Sequence, residues 1–374
     1  MSRIASMPVA AMVVVCLIST MVKPVGAVED LVLKANGPNF SFLVLGDWGM
    51  GTKQQLNVAE AMNKEAGTMP DSLFVLNVGD NFYHDGRDSE GHKMGGVSDV
   101  NDPLWKEYFE DVYNGDHLRK LPFISILGNH DYMGNLSAQM HGLRNPRFVI
   151  PDRNYVTRVV DEKTGEKLAT FVHIDTTPVA GIYRDKPENP TMGVNLDNLD
   201  DGDTFGWLNR TLARVADNKG YKFVVGHHQV VSMYGSETSH KQAHLHESMD
   251  NVRKILEHHR VDAYFNGHLH ALEHRTLNDV SYIVSGGGGK NKDYPVQQLD
   301  EVIAGWAAGA DGVKGGFATV SVDLAKGEAN IRYLDSHGKE LFRPKLYAPR
   351  STLSPLQLNQ QPKQLPRSLR IGVA

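Results

Sequence analysis

One local arrangement recurs along this chain: a short apolar run of β type, then a glycine, then a side chain able to hold a cation. Phe40 to Leu45 stops at Gly46-Asp47-Trp48-Gly49, and Leu73 to Val78 stops at Gly79-Asp80-Asn81-Phe82-Tyr83. Phe123 to Leu127 stops at Gly128-Asn129-His130-Asp131, Phe223 to Val225 at Gly226-His227-His228, and Ala263 to Phe265 at Asn266-Gly267-His268-Leu269-His270. A lone Gly-Asp after a strand says little, because aspartate is common in turns. The ordered set carries the weight. Between these runs, Gln55 to Glu65 has helical spacing with Leu56, Ala59 and Met62 on one face, and Leu104 to Val112 and Phe205 to Ala216 also read as helical. Ala169 to Ile174, Val280 to Val284, Phe317 to Val322 and Asn330 to Leu334 read as further strands. Strands alternating with helices predict an α/β fold with largely parallel central strands. In such sheets the ligand site gathers on the loops at the carboxyl ends of the strands, where every one of these polar residues falls.

Composition narrows what a site there could use. Hydrophobic content of 41% and charged content of 22% are those of a folded chain, and a net charge of -5 offers no basic face for nucleic acid. Arg3, the apolar run Val9 to Leu17 and the small residues Val25-Gly26-Ala27 predict a cleaved signal peptide over 1–27. No other segment is long and apolar enough for a membrane anchor, so the expectation is a secreted or lumenal chain. The single cysteine, Cys16, lies in that leader, which leaves no disulfide and no thiolate ligand in the remainder. Any metal must then be held by oxygen and nitrogen, and the chain has 17 histidines. Asn39, Asn135 and Asn209 head glycosylation sequons, as export would allow. Residues 28–347 are expected to form one folded domain. Residues 348–374, which carry Lys363, Arg367 and Arg370 and no acidic residue after Ser351, are expected to form a disordered basic tail.

Taken together, the five motifs resemble those of the purple acid phosphatases of the small, tartrate-resistant kind, within the calcineurin-like metallophosphoesterases. The likeness runs from about Phe40 to Leu346 and is densest from Gly128 to Gln139, with weaker echoes at Asp175-Thr176, Gly206-Trp207-Leu208 and Ser285-Gly286-Gly287-Gly288. The resemblance implies a four-layer sandwich of two central mixed β-sheets flanked by helices, with 28–347 as the catalytic domain. It implies that Asp47, Tyr83 and His270 bind Fe(III), that Asp80 bridges, and that Asn129, His227 and His268 bind a divalent Fe, Zn or Mn. The donor chemistry agrees, since carboxylates and a phenolate suit a hard trivalent ion while imidazoles and an amide suit a divalent one. The implied reaction is hydrolysis of phosphate monoesters by a metal-bound hydroxide. His130 would reach the phosphate and assist the leaving group, and Asp131 would orient its imidazole. The implied setting is secretion or the endo-lysosomal or vacuolar lumen, as a monomer. Two other functions stay open: a metallophosphoesterase preferring diesters or nucleotides, and a non-enzymatic scaffold.

The pattern departs from mammalian relatives at Ser236, which stands where they carry a second substrate-side histidine nine residues after the counterpart of His227. A serine cannot supply a proton there, and His228 and His240 are the candidate substitutes. His240 and His244 are four apart on a polar stretch and read as a solvated helix face, and His258-His259 as a surface pair. Leu269 should be a spacer pointing away from the metals, and Trp48 should pack beneath the site. Gly286 to Gly289 with Lys290 lacks the spacing of a phosphate-binding loop and is expected to be a mobile loop at the active site.

Overall fold

The computed structural model describes residues 29–347, apart from 88, 200–203, 217–218, 233–239, 291, 293–303 and 309–314. The leader expected over 1–27, the tail expected over 348–374 and Ser236 all lie outside the described residues. In chain order the strands begin with β1 (Leu31–Ala35), β2 (Asn39–Leu45), β3 (Ser72–Asn77), β4 (Tyr83–Arg87), β5 (Lys93–Gly95) and β6 (Phe123–Ser125). They continue with β7 (Phe148–Val149), β8 (Tyr155–Asp161), β9 (Lys167–His173), β10 (Tyr221–Val225), β11 (Ala263–Asn266) and β12 (Leu272–Leu277). The last are β13 (Val280–Ser285), β14 (Ala304–Ala307), β15 (Gly316–Asp323), β16 (Glu328–Asp335), β17 (Glu340–Phe342) and β18 (Lys345–Tyr347). The helices are α1 (Lys53–Thr68), α2 (Leu136–Gln139), α3 (Gly181–Asp185), α4 (Pro190–Asp197), α5 (Thr204–Arg214) and α6 (His240–His258).

Two mixed sheets form the centre, with strand orders β1-β8-β9-β10-β11-β13-β12-β14 and β17-β16-β15-β2-β3-β6-β7. In the first, β9, β10, β11 and β13 run parallel; in the second, β2, β3, β6 and β7 do. Antiparallel neighbours flank both parallel cores. The alternation along β2 shows how the layers stack. Phe42 and Val44 pack between the sheets with Phe74, Phe171, Phe223 and Phe265, while Leu43 and Leu45 point the other way into a cluster that includes Val58 and Met62 of α1. Both faces of the strand are therefore buried, which is why its sequence is a continuous apolar run and not an alternating one. The Phe42 ring lies 5.1 Å from Phe74 and meets Phe171 edge-on at 5.3 Å, so aromatic pairs from both sheets key the sandwich.

α1 begins at Thr52, whose hydroxyl accepts from Gln55 N at 3.1 Å and donates to the Gly289 carbonyl. Its buried face carries Val58, Ala59, Met62 and Ala66, whereas Leu56 is 53% exposed. Steps of three residues drift by about 60° each around a helix. Leu56 is two such steps from Met62 and so leaves the face. The stretch read as helical from Leu104 is a π-helix over Trp105–Glu110.

Two histidines sit deep in the apolar layers. His173 stacks on Tyr155 at 4.1 Å, and His274 lies against Tyr333 and Phe342. Burial depresses both imidazoles from 6.5 to about 3. The unfolded chain therefore binds protons that the folded chain refuses between those two values. Their contribution is intact above pH 6.5 and is lost as pH falls through it. Replacing His274 with Phe should flatten the loss of unfolding free energy between pH 6.5 and 4.5 by about 1.4 kcal/mol per pH unit, measured by urea titration. An unchanged slope would show that His274 does not titrate in this way.

Candidate metal centre

The five motif turns lie at the carboxyl ends of β2, β3 and β6 in one sheet and of β10 and β11 in the other. They meet where the two sheets adjoin. Close approach requires particular backbones there. Asp47, Asp80 and His268 adopt left-handed φ of 56°, 51° and 66°, a region that non-glycine residues avoid at roughly 1–2 kcal/mol each. At Gly128 a Cβ would stand 2.3 Å from Asp80 Oδ1, and at Gly267 one would stand 2.3 Å from Asp47 Oδ2, so the carboxylates occupy space only glycine leaves.

The side chains converge tightly. The Tyr83 hydroxyl, carried on β4, donates to Asp80 Oδ2 at 2.7 Å, lies 2.9 Å from Asp47 Oδ1 and is 3.1 Å from His270 Nε2. His270 Nε2 is also 3.6 Å from Asp47 Oδ1. The same Asp80 Oδ2 is 3.3 Å from His227 Nε2, and His268 Nδ1 lies 3.0 Å from Asn129 Oδ1. Thus all seven residues expected as ligands come together, and all but His268 are almost wholly buried. Backbone donors aim the carboxylates: His268 N donates to Asp47 Oδ2 at 2.9 Å and His130 N to Asp80 Oδ1 at 2.8 Å.

The electrostatics of the cluster call for positive charge. Burial, reinforced by Asp80, pushes the Asp47 carboxyl up to about 8. Burial with the two carboxylates holds the Tyr83 phenol well above 10. Burial works against charge on Asp80 too, but His227 and His130 outweigh it and hold that carboxyl well below 3.8. Burial opposes charge on His227 as well, yet Asp80 and the Val78 carbonyl raise its imidazole to about 9. His268 is held well below 6.5 and His270 at about 3, first by burial, so both are neutral and offer lone pairs. His227 Nδ1 lies 2.9 Å from the Val78 carbonyl, which can only accept, so the ring proton is on Nδ1. Its buried Nε2 faces Asp80 Oδ2 at 3.3 Å, so without a cation that nitrogen carries a second ring proton, whose place a cation between the two atoms would take. The donor set fits a pair of ions, one beside Tyr83 and one beside His227.

His130 is partly exposed and lies over the Tyr83 ring, 4.2 Å between centroids. Burial lowers its imidazole below 6.5, with Asp80 opposing. Asp131 does not turn to it as expected. Its carboxylate accepts from Gly128 N at 2.8 Å, Asn81 N at 3.1 Å and Gln139 Nε2 at 3.1 Å, fixing the turn and not the imidazole. Thr176 Oγ1 accepts from the backbone N–H of both His227 and His228 at 3.2 Å and lies 2.8 Å from His228 Nδ1. His228 is fully buried, beside His268 at 4.6 Å between rings, and one nitrogen each of His227, His228 and His268 fall within 4.8 Å of one another.

The supporting features fall beneath and around the cluster. Trp48 is buried against Phe82 and Tyr113, and its Nε1 donates to Asn77 Oδ1 at 2.9 Å. Leu269 packs with Ala271 and Val284. Gly286 to Gly289 are buried at the site and pinned to it, Gly288 N bonding Gly46 O and Gly289 N bonding Asp47 O, so the loop is anchored where the sequence suggested mobility. Asn39, Asn135 and Asn209 are exposed, and His259 bonds Asn209 on the surface. Sequence reasoning passed over Asn81, whose amide ties Ile126 O, Asp131 and Gln139 together behind the motifs. Its signal was a buried amide directly after Asp80.

Residues 40–272 match the calcineurin-like phosphoesterase family. The chain is 31% identical over 323 residues to human tartrate-resistant acid phosphatase type 5, covering 83% of this chain and 91% of that one. It is likewise 31% identical over 320 residues to Arabidopsis thaliana purple acid phosphatase 7, covering 84% and 88%. Among solved structures it resembles GAP50, described as the anchor in the inner membrane complex of Plasmodium, with a TM-score of 0.63 at 22% identity over 89% of this chain and 99% of that one. The chain therefore belongs to the calcineurin-like phosphoesterases and, within them, to the tartrate-resistant and purple acid phosphatases. It is accordingly a hydrolase with the metallophosphoesterase fold, and among its described residues no helix is long and apolar enough to cross a membrane.

Replacing Gly267 with Ala should displace the Asp47 carboxylate, which His268 N holds in place and which has nowhere near to retreat. The expected result is a folded chain, by circular dichroism, that binds fewer than about two metal ions by elemental analysis. Full metal content in that variant would show that the carboxylate can move without consequence.

Proposed function

We propose that this chain is an acid phosphatase that hydrolyses phosphate monoesters at a two-ion centre. Asp47, Tyr83 and His270 would hold a ferric ion, Asn129, His227 and His268 a divalent iron, zinc or manganese, and Asp80 would reach both. The observation that carries the reading is the Tyr83 oxygen, within 3.1 Å of atoms from Asp47, Asp80 and His270. A phenolate joined to two carboxylates makes a hard, anionic pocket suited to a trivalent ion, and binding there must release the phenolic proton. When bound, such ions supply Lewis acidity toward the phosphoryl oxygens and an activated water. The likeness to named acid phosphatases over most of the chain supports the same substrate class.

The chain's own residues account for the rest. His130, partly exposed beside Tyr83, is placed to donate to a phosphate oxygen and to pass a proton to the departing oxygen. A bound phosphate dianion favours the protonated imidazole, offsetting the burial that lowers it. Asp80 accepts from the His130 backbone, so one carboxylate links the centre to the proton donor. Trp48 and Phe82 close the underside to water. Ser236 lies outside the described residues, and His228, fully buried, does not stand at the surface a substrate would meet. The expected leader, the catalytic domain over 28–347, export and glycosylation at the three exposed sequons belong to the same proposal. The scaffold alternative has a likeness of fold behind it, but the assembled set of seven donors favours an enzyme.

The test is the visible spectrum and metal count of the purified protein, with rates on a monoester and a diester. We expect a phenolate-to-iron absorption band, two ions per chain and a faster monoester. Tyr83→Phe should lose the band. His130→Ala should keep both ions and lose roughly 100-fold in kcat. A folded protein that takes up no metal and shows no colour would overturn the reading.

A further inference from the structure

The segment between β9 and α5 reaches the centre from outside and supplies none of the candidate ligands. At its heart is α4, capped by Asn189, whose Oδ1 accepts from Met192 N at 2.7 Å. The same amide donates from Nδ2 to the carbonyls of Lys93 at 2.9 Å and Met133 at 3.2 Å. Farther along α4, Asn195 Nδ2 donates to the carbonyls of Tyr132 at 2.7 Å and Gly134 at 2.9 Å. Every amide hydrogen of the two asparagines is thus spent on backbone carbonyls of just two segments.

Those segments are the ones that carry the chemistry. Lys93 belongs to β5, the partner of the strand that holds Tyr83, with Tyr83 opposite Gly95. Residues 132–134 follow Asn129 and His130 with only Asp131 between. The two segments touch backbone to backbone: a Cβ on Gly95 would stand 2.8 Å from His130 O, and one on Gly134 would stand 2.8 Å from Gly95 O. Contact this close leaves the relative position of the segments to the hydrogen bonds that span them. Asn189 bonds one carbonyl of each, and Asn195 grips the turn at two points.

We propose that α4 is a brace for His130, and that Asn195 in particular is a positioning residue acting through the backbone of residues 130–134. The proposal rests on the role assigned to His130 under the proposed function. Displacement of a reacting group by about 1 Å can cost on the order of 100-fold in rate, so a loosened turn should be visible in kcat. Asn195 lies on an exterior helix and bonds no candidate ligand side chain, so its removal should leave metal uptake intact.

The experiment compares wild type, Asn195→Ala, His130→Ala and the double variant for kcat, KM and metal content, with hydrogen–deuterium exchange of the metal-free chain. Asn195→Ala should lower kcat by roughly tenfold, leave KM within about twofold and keep both ions. Exchange across 130–134 should rise while protection elsewhere holds. In the His130→Ala background the same change should cost less than about twofold, because the group it positions is gone. An equal loss in both backgrounds, or unchanged exchange, overturns the brace. If Asn195→Ala does not fold, Asn195→Ser leaves a polar side chain with at most one donor and carries the same comparison. Failure of the His130 reading looks different: a wild type without turnover, or His130→Ala as fast as wild type. The exchange result then decides the brace alone.

Discussion

The structure turns on one buried contact, the Tyr83 hydroxyl between two carboxylates. The Tyr83 oxygen stands 2.9 Å from an Asp47 oxygen and 2.7 Å from an Asp80 oxygen, with almost no solvent. Such a group is stable only if protons or cations lie among its members. Without a cation, Asp47 and Tyr83 keep their protons and His227 becomes positive, so the cluster neutralises itself. A pair of ions would take over that task. The left-handed backbone at Asp47, Asp80 and His268 and the bare glycines at 128 and 267 make sense as conditions for bringing these atoms together.

The layered fold makes that convergence rigid. The turns belong to two sheets held by an aromatic layer, and α1 is fastened to the Gly289 loop by Thr52. Helices cover the outer faces, so neither parallel core exposes its strands. Strain at a strand end is tolerated because the strands on either side cannot move to relieve it.

What the sequence made legible followed from local physics. Each parallel core strand ending in a motif showed itself, since a strand buried on both faces must be a continuous apolar run and the following glycine marks the turn. β8 was missed because Arg158 interrupts its apolar residues, and α4 because Pro190-Thr191-Met192-Gly193 has no helical stripe of its own. The seven candidate donors were named through the family resemblance of the motifs, and the partners of Asp131 were not. They come from Gly128, Asn81 and Gln139, and nothing in the spacing told the backbone of the turn apart from the neighbouring imidazole. The face of α1 went astray at Leu56 for a related reason: a run of threes in sequence is not a stripe on a helix.

Two adjacent histidines follow β10, and the sequence treats them alike. Their surroundings do not. The Val78 carbonyl takes the Nδ1 hydrogen of His227, so the nitrogen on its far side, facing Asp80, is the one that can give up its proton to a cation. Thr176 has already used both oxygen lone pairs on the backbone N–H groups of 227 and 228, so its own hydrogen goes to His228 Nδ1 and the His228 proton sits on Nε2. One ring is thereby an electron-pair donor and its neighbour a hydrogen donor. A single hydroxyl some fifty residues upstream sets the tautomer of the second ring, and a valine at that position would free His228 alone, because Val78 would still hold His227.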